Sequence, residues 1–344
     1  MDSLTQIALG AAVGVAVMGR HAPVRRAAAW GAVAGTLPDL DVLIAHGDPV
    51  LDMVLHRAHS HSLFWLTLLA VPFGAAVAWL HGQRALWRRW AAAIGAALVT
   101  HPLLDWMTVY GTQLLQPFTD TPFGVGSVFI IDPLVTLPWL AGTAWALVRA
   151  GGPHAAQGLR ANLWGLGLGT AYLAAGVGLQ AHVTGLARAQ LQAQGLPHER
   201  VLVTPAPFTT ALWRIVATDG TRYVEGFRAL ADEGERIDFR AFDQGAALQA
   251  ELGTLDPVRR LQAFSGGFWR LQEEADGDIT VTDLRMGQEG GYVFRFVVAR
   301  REAGVPRPLT PTVQVGQRGD TGALLRWWWR RLQGERLAPP APGA

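Results

Sequence analysis

Six stretches of this 344-residue chain, 3–19, 27–45, 62–80, 90–109, 131–149 and 162–181, are apolar for close to the length a helix needs to cross a bilayer. Lipid offers no partner for backbone polar groups, so chains with such stretches fold as helices or closed barrels. The expectation for residues 1–181 is therefore a membrane all-α bundle of about six transmembrane helices. Stretch 62–80 is the clearest, with no charged residue in it. The first stretch has no basic region before it, which argues against a cleavable signal peptide. Ser3 followed by Gln6 fits a capping box, so a helix is expected to start there at once. Charged residues make up only 16% of the chain, few for a soluble protein of this size.

Arginines set the expected orientation. Arg20, Arg25 and Arg26 lie between the first two stretches, Arg84, Arg88 and Arg89 between the third and fourth, and Arg149 and Arg160 before the sixth. By the positive-inside rule these loops are cytoplasmic. The N-terminus, loops 46–61 and 110–130, and everything after 181 then face outward across a bacterial inner (cytoplasmic) membrane.

Beyond about residue 182 the pattern changes to short alternating runs punctuated by Asp-Gly and Glu-Gly turns. Strands are expected at 201–204, 212–217, 222–230, 236–242, 267–272, 278–284 and 292–299. A helix over 246–264 is expected to break near Asp256-Pro257, and a Trp- and Arg-rich helix spans 324–332. Residues 182–335 thus read as a soluble, extracytoplasmic α+β domain, with 336–344 a disordered tail. No His follows His198, and no catalytic constellation stands out here, so an accessory role is expected, with a protein partner as one option. No dense basic run interleaved with aromatics points to nucleic acid.

The chemistry is concentrated in the apolar half, where ionisable groups are costly and usually functional or paired. Asp39 and Asp41 flank a proline-disturbed helix end in Leu37-Pro38-Asp39-Leu40-Asp41. His56, His59 and His61 crowd the sequence leading into stretch 62–80, with Arg57 beside them as a group suited to phosphate. His101 and Asp105 are four apart and share a helix face. Asp132 and Asp2 each precede a helix and could be ordinary N-caps. Blander readings exist for each motif: a capped helix break, a solvated His-rich loop, a buried hydrogen bond. All of these residues, however, map to the outer half of the bundle, although orientation was assigned from arginines alone. The chain has no cysteine, so a metal would rest on His and carboxylate, a set that suits Zn²⁺, with Mn²⁺ as another option. The expected ligands are Asp39, His56, His61, His101 and Asp105, with Asp41 as general base or as a partner behind the ligands and Arg57 as a catalytic anion-binding group.

At these residues the sequence resembles the YdjM family of bacterial inner-membrane proteins, described as metal-dependent hydrolases. The resemblance rests on Met1-Asp2-Ser3-Leu4-Thr5-Gln6, on 37–41, on the His-Arg-x-x-Ser-His-Ser pattern from His56 to Ser62, on His101 with Asp105, and on 111–117. It covers about residues 1–140. His59 occupies a position that is often not His in that family, which favours His56 and His61. The resemblance implies a hydrolase, and a looser analogy to zinc-dependent phospholipases points to a membrane lipid or other phosphoester as substrate. Two further readings stay open. One is a non-enzymatic membrane protein with a structural metal and a partner-binding outer domain. The other is an ion pathway, against which the lack of an inverted repeat counts. No Gly-x-Ser-x-Gly elbow supports a serine hydrolase.

Overall fold

The computed structural model describes residues 1–316 and 320–340. The chain divides into two compact units: residues 1–44, 56–177 and 207–209 form the first, and 45–55, 178–206 and 210–344 the second.

Unit 1 is helical. Asp2 caps α1 (Ser3–Met18), accepting from the N–H groups of Leu4 and Thr5, so the helix starts where expected but on a different cap. Gln6 has another partner, described below. Pro23 precedes α2 (Val24–Thr36), which gives way to a 3-10 turn, Leu37–Leu43, with Pro38 in its first turn. Glycines let α1 and α2 meet backbone to backbone. A Cβ on Gly31 would lie 2.2 Å from the Gly10 carbonyl oxygen, and one on Gly14 2.3 Å from that of Ala27. The first unit continues with α4 (Leu63–Leu80), α5 (Trp87–Trp106), α6 (Pro133–Arg149) and the start of α7 (Ala155–Ala193). Met18, Ala27, Val77, Trp90 and Ala146 form one buried cluster, and Leu9, Leu104, Val135 and Trp139 another. Asn162 on α7 donates to the Ala12 carbonyl at 2.9 Å and accepts from Thr143 at 3.0 Å, so its polar atoms are satisfied inside the bundle.

The helical character expected of this half is present, but of the six expected spans only α4 is long and apolar enough, among the described residues, to cross a membrane. α1 is apolar but has 16 residues, α2 has 13 and α6 has 17. Prolines bound α2 at both ends, and α5 opens on Arg88 and Arg89.

Unit 2 includes α3 (Pro49–Leu55), the end of α7, and two four-stranded antiparallel sheets. The first sheet runs β1 (Arg200–Pro205), β2 (Leu212–Thr218), β3 (Arg222–Ala229), β4 (Phe239–Asp243). The second runs β5 (Trp269–Glu273), β6 (Asp278–Asp283), β7 (Arg295–Glu302), β8 (Val305–Gln314). Between them lie α8 (Ala246–Leu252) and α9 (Asp256–Phe264), the break falling at Asp256-Pro257 as expected. The α+β expectation is thus sharpened to a two-sheet β domain with peripheral helices. β8 lies outside the expected strands and carries three prolines, Pro306, Pro308 and Pro311. It is an edge strand, where a missing N–H costs no ladder bond.

A buried guanidinium ties the two sheets together. Arg214 on β2 donates to Glu225 at 2.7 Å, to the Leu284 carbonyl at 2.7 Å and to the Tyr292 hydroxyl at 3.1 Å. Burial, with the Glu289 carboxylate beside it, pushes the Tyr223 hydroxyl well above the ordinary tyrosine range, so it remains a donor to Glu289. α10 (Thr321–Leu332) starts three residues earlier than expected, capped by Asp320. Of the tail expected to be disordered, 336–340 is described. The Leu337 carbonyl there accepts from the Trp327 indole at 3.0 Å. Residues 341–344 lie outside the described residues.

Candidate metal centre

Three segments of unit 1 build the site. α2 stops at Thr36, and the 3-10 turn opened by Pro38 presents Asp39 and Asp41. A second 3-10 turn, His59–His61, brings His61 to the N-terminal side of α4, whose cap is Ser62. α5 supplies His101 and Asp105 one turn apart, both buried.

Asp39, His61, His101 and Asp105 each offer a donor atom to a common point, all within 4.8 Å of one another. The two imidazole Nε2 atoms are 3.1 Å apart. Each lies 3.4 Å from Asp39 Oδ1 and 3.3 Å from Asp105 Oδ2. Four donors at about 2.0–2.1 Å from a zinc ion would be separated by about 3.3 Å along the edges of their tetrahedron. The five separations that involve an imidazole nitrogen are close to that edge.

Three of the four donors are held from behind. His101 Nδ1 is 2.6 Å from the Gly35 carbonyl, to which it donates, so Nε2 keeps its lone pair. His61 Nδ1 is 2.8 Å from the Ser60 hydroxyl. Asp105 Oδ1 accepts from Gln6 Nε2 at 3.1 Å, pairs with Arg57 Nη2 at 3.2 Å and receives the Met1 amine. Asp105 Oδ2 and Asp39 Oδ1, the two oxygens that face the cluster, are buried and without a hydrogen-bond partner among the described residues. Leaving a buried acceptor unmet costs about 1–3 kcal/mol, more when it is charged. Two such oxygens beside two imidazole nitrogens form a pocket of lone pairs that a divalent cation satisfies at once. The residues present therefore fit a metal ion.

Asp41 and His56 stand one layer out. Asp41 Oδ1 is 2.7 Å from His56 Nδ1, and its Oδ2 accepts from the Arg57 N–H at 3.0 Å and from the Ser60 hydroxyl. Asp41 is thus occupied as a brace, and His56 is oriented by it rather than gathered with the four donors. Arg57 sits in the left-handed region at φ 65°, a conformation unusual for a non-glycine residue. Its N–H is held by Asp41 and its carbonyl accepts from Gln113 at 3.0 Å. Its buried guanidinium reaches Asp105 and stacks 4.9 Å from the Tyr110 ring. His59 is exposed. Asp132 caps α6 and accepts from the Tyr172 hydroxyl at 2.9 Å, so it and Asp2 serve as caps. Gln6, Ser60 and the Gly35 carbonyl are site residues that sequence reasoning did not single out as such. Gln6 lay within the matched opening motif but was assigned to a capping box.

A family model described as YdjM inner membrane protein matches residues 1–183, which covers every residue of this centre. The chain is also 23% identical to "Uncharacterized protein YfhP" of Bacillus subtilis (strain 168) over 311 residues, covering 87% of this chain and 90% of that protein. No solved structure matches the chain.

Proposed function

The chain belongs to the YdjM inner membrane protein family, and on that footing we propose that it is a membrane-embedded metal-dependent hydrolase acting on a lipid or other phosphoester-type substrate at the outer face of the inner membrane. The observation that carries this reading is the set of four inward donors, two of them carboxylate oxygens with no hydrogen-bond partner among the described residues. Bound there by Asp39, His61, His101 and Asp105, a divalent ion would supply a Lewis acid for an ester or phosphoryl oxygen and would acidify a water.

The chain's own groups complete the proposed chemistry. His56 is partly exposed, and Asp41 holds its Nδ1, which leaves Nε2 to take up or hold a proton at the site's edge. Arg57 fixes Asp105 and carries positive charge beside the cluster. The substrate class is supported by what surrounds the acidic turn. Leu40, Val42, Leu43 and Ile44 are all more than half exposed, next in the chain to Asp39 and Asp41. His61 precedes the membrane-length helix α4 by one residue, Ser62. An apolar lip at the end of an apolar helix suits an amphiphile whose tails stay in lipid while its headgroup meets the metal. Six passes, with the second unit extracytoplasmic, complete the proposal; the marginal spans are the short helices α1, α2 and α6.

Four protein donors close a tetrahedral zinc site, as structural zinc sites do. This favours, as the second reading, a metal that clamps the bundle without catalysis. A six-coordinate ion such as Mn²⁺ keeps room for water on the same four donors. The test is elemental analysis of detergent-purified protein beside Asp39→Ala and His101→Ala, then cobalt substitution and hydrolysis assays on phospholipids and phosphoesters. About one ion per chain, lost in both variants, with a cobalt spectrum that responds to phosphate and measurable turnover, supports the hydrolase. A tetrahedral cobalt spectrum indifferent to anions, without turnover, supports the clamp. A folded wild type without metal defeats both.

A further inference from the structure

We propose that Ser60 is a positioning residue for the metal centre: its hydroxyl relays the charge of Asp41 to His61, and so fixes both the tautomer of that ligand and its strength as a donor. The inference rests on the reading that Asp39, His61, His101 and Asp105 hold a metal ion, and it names what tunes the affinity for that ion.

Three side chains carry it. His61 is fully buried, and its Nδ1, the nitrogen not used in the cluster, lies 3.6 Å from Asp41 Oδ2. That is past hydrogen-bond reach. The Ser60 hydroxyl spans the gap, with Oγ 2.8 Å from His61 Nδ1 and hydrogen-bonded to Asp41 Oδ2. A hydroxyl has one proton to give, so its placement decides both bonds. A carboxylate only accepts, and two oxygens in such contact need a proton between them. The Ser60 proton therefore goes to Asp41. Oγ is left with only lone pairs for His61, so Nδ1 is the end that donates. His61 Nε2 then keeps its lone pair and faces Asp39, His101 and Asp105 as a donor atom.

The two ligand imidazoles thus reach the same tautomer by different means. His101 Nδ1 donates to the Gly35 carbonyl, which is neutral. His61 Nδ1 donates into a hydroxyl that is itself bound to a carboxylate. Hydrogen bonds in such a chain polarise one another, and a carboxylate behind a metal-binding histidine strengthens it as a ligand. His61 is therefore the stronger donor of the pair, and that strength passes through one small side chain. Asp41 gives its other oxygen to His56 Nδ1 at 2.7 Å and also holds the Arg57 N–H at 3.0 Å. Loss of the Ser60 hydroxyl cuts only the branch to His61, whereas neutralising Asp41 reaches both imidazoles.

The test is chelator competition for Zn²⁺ on the full chain in detergent, beside the visible spectrum of the Co²⁺-loaded protein. It compares the wild type with Ser60→Ala, Ser60→Thr, Asp41→Asn and the Ser60→Ala/Asp41→Asn double variant. Ser60→Ala should lower metal affinity by about 10–100-fold and shift the cobalt bands. Ser60→Thr keeps a hydroxyl and should restore both. Asp41→Asn should lose affinity to a similar degree, and adding Ser60→Ala to it should cost nothing further, because the two residues act as one path. Asp41→Asn retains an acceptor for the Arg57 N–H, so it carries the test even if Ser60→Ala does not fold. Wild-type affinity in either single variant, or losses that add in full, overturns the relay while leaving the metal centre standing. A wild type that binds no metal defeats the centre itself, and the relay with it.

Discussion

At the scale of single residues, the centre depends as much on what stands behind the donors as on the donors themselves. Gln6 touches no donor atom that faces the cluster, yet it holds the far oxygen of Asp105 at 3.1 Å. Gln6→Ala should therefore lower metal affinity by about 10–100-fold, the usual cost of losing such a partner, with the fold retained; chelator competition measures it. Arg57→Ala should act on stability, since removing one member of a buried pair costs about 3–5 kcal/mol, read as a lower denaturation midpoint. His56→Ala, by contrast, should leave metal content at the wild-type level and reduce turnover on whichever phosphoester is cleaved by about 10²–10⁴-fold. If His56→Ala loses the ion as Asp39→Ala is expected to, His56 is a ligand after all. Four of the five expected ligands are the four that converge, and they were legible because charges inside apolar sequence must have a reason. His56 stands outside that group of four, and spacing within a loop cannot distinguish a member of such a group from its neighbour. Gln6 and the Gly35 carbonyl were out of reach for a plainer reason. Their partners, Asp105 and His101, lie 99 and 66 residues away in the chain, and no local pattern encodes such a bond.

At the scale of elements, the close approach of α1 and α2 is what places the Gly35 carbonyl against His101. Gly31 and Gly10 leave no room for a Cβ between the two backbones. Gly31→Leu should force the helices apart at a cost of about 1–3 kcal/mol or more, and it should loosen metal binding although residue 31 is remote from the ion. Thermal unfolding and metal titration on the same preparation check both halves of that expectation. A variant that unfolds earlier but binds metal normally would detach the helix packing from the site. Elements were legible where hydrophobic period and punctuation agreed, as in α4, in the break at Asp256-Pro257 and in β2 and β3. They were hidden where tertiary placement overrode local chemistry. The prolines of β8 are tolerated because the strand lies at a sheet edge, and edge position is a property of the sheet, not of the segment.

At the scale of the whole molecule, the absence of cysteine makes the proposed topology directly testable. A thiol introduced by Glu235→Cys should react with an impermeant maleimide in intact cells, and one introduced by Ala85→Cys only after the membrane is opened. The reverse pattern would invert the orientation derived from the arginines. The division into units carries its own expectation. Residues 45–55 fold with unit 2, where Val50 and Met53 are buried. A chain cut to residues 1–183 should thus be cleaved by added protease within that segment, while the full chain resists there. The same excursion sets a timetable for synthesis. Asp48 accepts from the backbone N–H and hydroxyl of Thr312, 264 residues further along. A ribosome adding about 5–20 residues per second reaches Thr312 roughly 13–50 s after Asp48. For that interval the stretch joining Asp41 to His56 is a bare tether, open to any chaperone or protease that meets the nascent chain. Two groups that end up 2.7 Å apart are thus joined through a segment that is among the last to find its place.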